Sequence, residues 1–183
     1  MKKFLVLSVL CSLIACSSSS ATKEDKPEEQ QPKNVYRNPV IDYSLPDPSV
    51  IEGDDGYYYL YATEDIRNLP IHRSRNLVDW EYVGTAFTDR TRPDFEPNGG
   101  LWAPDINKIG DKYVLYYSMS VWGGELTCGI GCATADKPEG PFTDHGKMFR
   151  SNEINVQNSI DFLYRGWREE ISFLGQFSRN LCD

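Results

Sequence analysis

Three aspartates stand at similar places along this chain of 183 residues: Asp47 in "LPDPSV", Asp105 in "WAPD" and Asp161 in "NSID". Carboxylates that converge on one cleft can split a bond between sugars. One activates water or attacks, another protonates the leaving oxygen, and an aromatic face such as Trp102, beside Asp105, holds the ring. Each signal taken singly has a plainer reading, since an Asp before Pro is a turn residue and a lone Trp is a core residue. Their recurrence at the head of three similar segments gives the chemical reading its weight.

The elements that must position them read as β almost throughout, and they repeat. "PSVIEGDDGYYYLYAT" is an apolar strand, a Gly-Asp turn and a second strand, and "PDINKIGDKYVLYYS" repeats that order. Setting Leu60 on Leu115 gives an offset of 55 residues. The second halves correspond as well, "IHRSRNLVDWEYVG" with "GCATADKPEGPFTDHG", ending at Gly84 and Gly146. Each unit holds four short strands and no convincing helix. Four-stranded units at this spacing suggest an all-β propeller, here about two blades and the start of a third, with a β-sandwich as the alternative. In a propeller the innermost strand of each blade lines one central channel, so aspartates at the heads of the repeats can converge.

The first residues belong to a different regime. Lys2 and Lys3 precede the apolar "FLVLSVLCSLIA", which reads as a secretion signal over residues 1–15. Its end, "LIAC", resembles the lipobox of bacterial lipoproteins and implies a lipid-modified Cys16, hence a chain anchored at the bacterial cell envelope rather than spanning a membrane. An ordinary secretory signal with an incidental Cys is the alternative. Residues 16–34, rich in Ser, Pro and charge, read as a solvated tether, so folding is expected from residue 35.

Net charge of −8 excludes the clustered cations that nucleic acid requires. Of the five cysteines, Cys11 lies in the signal, Cys16 in the lipobox and Cys182 in the last residues. Cys128 and Cys132 on one extended strand would lie about 13 Å apart, too far to bond, and read as core thiols. With two histidines in the chain, a Cys-based metal site finds few partners. His72 reads as a structural histidine near a possible cleft, and His145 as a turn residue.

After Asp161 the pattern breaks. A third unit is due, yet the sequence gives "FLYRGWREEISFLGQFSRNLCD" where an Asp-Gly turn and an aromatic strand should follow. Codons permitted for that run, read one base later, can encode "FFIEDGEKKYLFWGSFRGIYA", which contains "IEDGEKKYLFW" to set against "IEGDDGYYYLY". Residues 162–183 are therefore expected to be an out-of-frame tail that packs badly.

"DPSV", "GGLWAPDI", "KPEGPF" and "NSID", in that order, resemble glycoside hydrolase family 43, in particular its bacterial endo-1,5-α-L-arabinanases. The resemblance covers residues 38–161 and implies a five-bladed propeller that hydrolyses α-1,5-linked arabinofuranose polymers of the plant cell wall with inversion. It implies that Asp47 is the general base, that Asp161 orients the general acid and holds its proton, and that Trp102 and Asp105 lie in the substrate cleft. The family's acid is a glutamate on a later blade, and neither Glu153 nor the glutamates of the tail match it. Members often hold a calcium ion in the central channel, for which no ligand can be named here. Phe162 stands where the family usually has proline. The resemblance therefore implies an arabinan hydrolase whose acid these 183 residues lack. The alternatives are an exo-acting arabinofuranosidase or xylosidase, and a non-catalytic glycan-binding surface lipoprotein.

Overall fold

The computed structural model describes residues 36–165 and 170–173. Two antiparallel four-stranded sheets follow one another along the chain. The first runs β1 (Ser49–Glu52), β2 (Tyr58–Tyr61), β3 (Pro70–Ser74), β4 (Glu81–Thr85). The second runs β5 (Gly100–Ile109), β6 (Lys112–Ser120), β7 (Gly129–Ala135), β8 (Thr143–Arg150). In both, spatial order equals chain order, the simple meander expected of a propeller blade. All four paired segments of the repeat fall on the strands assigned to them.

Strand β6 shows how the blades stack. Every residue from Tyr113 to Ser120 is buried, a mostly apolar run that reads as a strand covered on both faces. Alternation sorts its side chains. Tyr113, Leu115, Tyr117 and Met119 join Tyr59, Tyr61, Ile71 and Phe87 in the core between the two sheets. Val114 and Tyr116 turn the other way and pack with Ile130 and Phe162. Leu60, the repeat partner of Leu115, lies in turn on the side of the first sheet that borders a groove lined by Val40, Tyr43 and Pro48.

Three expectations change. A single-turn helix, α1 (Ser151–Ile154), sits between the second sheet and the strand that follows. Glu153 accepts the Arg150 N–H at 3.0 Å at its start, and left-handed Asn155 (φ 54°) ends it. Four residues are too few for a 3.6-residue period to be legible. His145 lies within β8 rather than in a turn, its Nε2 2.7 Å from the Thr134 hydroxyl on neighbouring β7. Finally, the run after Asp161 is ordered at its start: Phe162–Arg165 forms β9, paired with β10 (Glu170–Phe173). Phe162 is buried, with its ring centroid 4.1 Å from that of Tyr116. An apolar Phe fills that place in either reading frame, since the alternative string also begins with it. Residues 1–35, with the signal, Cys16 and the tether, lie outside the described residues, as do 166–169 and 174–183.

Candidate active site

Strand register decides which residues correspond. Ser49 pairs with Tyr61 and Val50 with Leu60, while Asp105 pairs with Tyr116 and Ile106 with Leu115. Asp105 is thus the counterpart of Ser49, and the counterpart of Asp47 is Ala103. The Ile106 N–H donates to Ser49 Oγ at 3.2 Å, and in the same way the Tyr164 N–H donates to Asp105 Oδ2 at 2.9 Å. That repetition aligns Tyr164 with Ile106, and so Asp161 with Ala103. The backbone agrees: Asp47, Ala103 and Asp161 are all left-handed, with φ of 49°, 40° and 58°.

The three aspartates are therefore not in register, and Asp105 stands two residues further along its strand than Asp47 and Asp161 do. Its Oδ2 is committed to the Tyr164 N–H and to the Asn107 amide, at 2.9 Å, fastening β9 to β5. Setting Pro48 on Pro104, instead of Asp on Asp, would have found the true register; the irregularity between Trp102 and Asp105 is where the two alignments part.

Asp47 and Asp161 do come together. Asp47 is exposed, and its Oδ2 accepts the Thr63 hydroxyl proton at 2.7 Å. Asp161 is half-buried, and its N–H donates to Ser118 Oγ at 3.1 Å. Burial pushes the Asp161 carboxyl above its ordinary range, and the charge of Asp47 pushes it further. The pair thus joins an exposed carboxyl to a half-buried one. Glu153 belongs elsewhere, with Oε2 on the Arg150 N–H and Oε1 paired with Lys147.

Aromatic groups flank the second blade's inner strand. Trp102 is half-buried, with its ring edge-on to Trp122 at 6.2 Å between centroids. Trp122 is 95% exposed in the turn after β6, and nothing in its sequence surroundings, "SVWGGE", distinguishes it from a loop residue. Gly100 permits the Trp102 pose, because a Cβ there would collide with the indole nitrogen.

Two largely buried ion pairs hold the segment leading to Trp102. Arg92 pairs with Glu64, and also donates to Asn68 Oδ1 at 3.0 Å and to the Gly99 carbonyl at 2.8 Å. Glu64 further accepts the Asn68 and Leu101 N–H groups, at 2.8 and 2.9 Å. Burial works to raise the Glu64 carboxyl, but the Arg92 hydrogen bonds and those two N–H groups outweigh it, so it sits below its ordinary range. Arg150 pairs with Glu96 and donates to the Phe95 and Thr127 carbonyls at 3.0 and 2.8 Å. Neither pair was visible in the sequence, where the partners lie 28 and 54 residues apart.

His72 is fully buried, with Nε2 2.5 Å from the Tyr43 hydroxyl and its ring packed on Tyr82. Burial depresses its pKa, in keeping with a structural histidine. Cys128 and Cys132 are unbonded thiols at β7. Among the described residues no three His, Cys, Asp or Glu side chains gather to hold a metal ion.

Comparison with known proteins bears on the family and the fold. Residues 36–164 match the family described as Glycosyl hydrolases family 43. The arabinan endo-1,5-alpha-L-arabinosidase C of Emericella nidulans is 38% identical over 110 residues, which are 58% of this chain and 33% of that protein. The solved Bacillus subtilis arabinanase is 30% identical at a TM-score of 0.58, covering 66% of this chain and 43% of that one. The Cellvibrio cellulosa alpha-L-arabinanase complexed with arabinohexaose is 26% identical at 0.58, covering 70% and 43%. The chain spans between a third and somewhat over two fifths of these relatives. Its two four-stranded sheets are blades of the five-bladed propeller fold, and with well over half of its residues matched, the chain belongs to glycoside hydrolase family 43.

Proposed function

We propose that this chain carries the base side of an inverting hydrolase for α-1,5-linked arabinan. Asp47 takes a proton from the water that attacks the anomeric carbon. Asp161 orients the general acid and, through the negative charge of its carboxylate, holds the pKa of that acid up. The acid itself is a glutamate of a later blade, so the 183 residues alone do not hydrolyse arabinan. Trp102 and Trp122 offer apolar faces to the sugar rings. The observation that carries this reading is the pairing of Asp47 with Asp161. Both are left-handed at the head of an innermost strand, and the charge of the first raises the carboxyl of the second. An inverting site needs its acid and base about 6.5–9.5 Å apart, with room for water between them.

The test is a reducing-sugar assay on linear arabinan, with the product anomer followed by proton NMR. One sample is the 183-residue chain and the other is a chain extended through "FFIEDGEKKYLFW" into further blades. The reading predicts no release by the first, and from the second release of arabino-oligosaccharides whose first-formed anomer is β. Product with the α anomer retained contradicts inversion. Release of single arabinose units alone assigns the site to the exo-acting class.

A further inference from the structure

One hydrogen bond recurs between successive blades at the heads of their inner strands. The Thr63 hydroxyl follows β2 and accepts the Ala103 N–H at 2.7 Å. The Ser118 hydroxyl on β6 accepts the Asp161 N–H at 3.1 Å. Since Tyr61 and Tyr116 are register partners of Ser49 and Asp105, Thr63 and Ser118 are themselves counterparts. In each case a hydroxyl of one blade holds the N–H of a left-handed residue of the next, Ala103 within β5 and Asp161 just before β9. Thr63 does a second task, donating its proton to Asp47 Oδ2 at 2.7 Å.

The setting argues that the hydroxyls are there for this. Ser118 is fully buried in β6, between Tyr117 and Met119 and, like Ser120, among mostly apolar neighbours, and a buried hydroxyl is costly unless it is bonded. A left-handed backbone is uncommon at residues other than glycine and persists where the surroundings over-determine it. Asp161 and Ala103 both carry that conformation with their N–H groups fixed by the preceding blade.

We propose that Ser118 and Thr63 are positioning residues of the site. Ser118 fixes the backbone of Asp161 and with it the placing of that carboxyl within reach of the charge of Asp47, and Thr63 fixes the carboxylate of Asp47 while anchoring the neighbouring blade at Ala103. Neither touches the substrate in this account. Blade-to-blade docking and the aim of the two carboxyls are thereby one device, and a chain that loosens its blades also loses the alignment of its carboxyls. The proposal rests on the reading of Asp47 and Asp161 as a working pair.

The experiment needs no enzymatic activity, so absence of hydrolysis leaves it intact. The Asp161 carboxyl is titrated by carbon-13 NMR in the 183-residue chain, and hydrogen exchange of its amide is followed alongside. Asp47 is the charged group that shifts Asp161, so Asp47→Asn lowers the Asp161 midpoint in the parent. In Ser118→Ala that effect of Asp47→Asn is expected to shrink by about half or more, and the Asp161 amide to exchange about five- to tenfold faster, the factor one net hydrogen bond is worth. Ser118→Thr, which keeps the hydroxyl, restores both. An undiminished Asp47 effect together with unchanged exchange in Ser118→Ala overturns the proposal. If Ser118→Ala does not fold, the parent and Ser118→Thr decide: an Asp161 amide as protected as those of β6 supports the clasp, and one exchanging like the exposed turn at Asp111 overturns it.

Discussion

Asp47 and Asp161 lie 114 residues apart in the sequence (161 − 47), yet the charge of one bears on the proton of the other. Burial is the larger cause of the raised Asp161 pKa and Asp47 the second. Each of the two aspartates is a left-handed residue just ahead of an inner strand, and Asp161 lies near enough to Asp47 to feel its charge. The site is thus a product of repeat geometry, in which equivalent positions of different blades meet.

The raised Asp161 fixes the sign of one pH effect. A carboxyl whose pKa is higher in the folded state than its ordinary value of 3.8 binds its proton more tightly when folded. Its contribution to stability is full below that ordinary value and is lost as pH rises through the raised one. Asp161→Asn removes the charge, so the variant should be more stable than the parent at pH 7 and should lose less stability between pH 4 and neutrality. Urea denaturation across that range checks both statements.

Glu64 should be far less replaceable. Glu64→Ala strands the Arg92 guanidinium together with the Asn68 and Leu101 N–H groups, in a site where the two side chains are 9% and 10% exposed. Removing one partner of a buried pair costs about 3–5 kcal/mol. Urea midpoints of the single variant and of Glu64→Met with Arg92→Met measure this, and the double variant should recover part of the loss. A cost under about 1 kcal/mol for Glu64→Ala would place the pair with surface ion pairs of little worth.

Much of this was legible in the chain, for identifiable reasons. Leu60 and Leu115 could be aligned because each sits in an apolar strand behind a Gly-Asp turn, and strand periodicity survives in such runs. The aspartate register was misread by two residues, because identity of side chain was set above the proline that marks the left-handed turn. Arg92 with Glu64 and Arg150 with Glu96 stayed hidden, since an ion pair across many residues leaves no local pattern. Trp122 looked like loop, and only folding sets it edge-on to Trp102. The hydroxyls of Thr63 and Ser118 gave no signal either; their role appears when two blades are compared.

The anchor at Cys16 remains a proposal drawn from "LIAC". No helix among the described residues is long and apolar enough to cross a membrane. Mass spectrometry of the mature N-terminus should find Cys16 as first residue, carrying acyl chains, and the protein should partition into detergent. An unmodified N-terminus beyond Cys16 on a freely soluble product contradicts the anchor.

The most direct measurement is the rate of arabinan hydrolysis by the extended, frame-restored chain with and without Asp47→Asn. The substitution keeps the shape and the contact with Thr63 while removing the base, and general base catalysis is worth about 10² to 10⁴ in rate. The account predicts a loss of that size with folding and oligosaccharide binding retained. Activity within about tenfold of the parent would show that Asp47 is a strand-start residue and not the base.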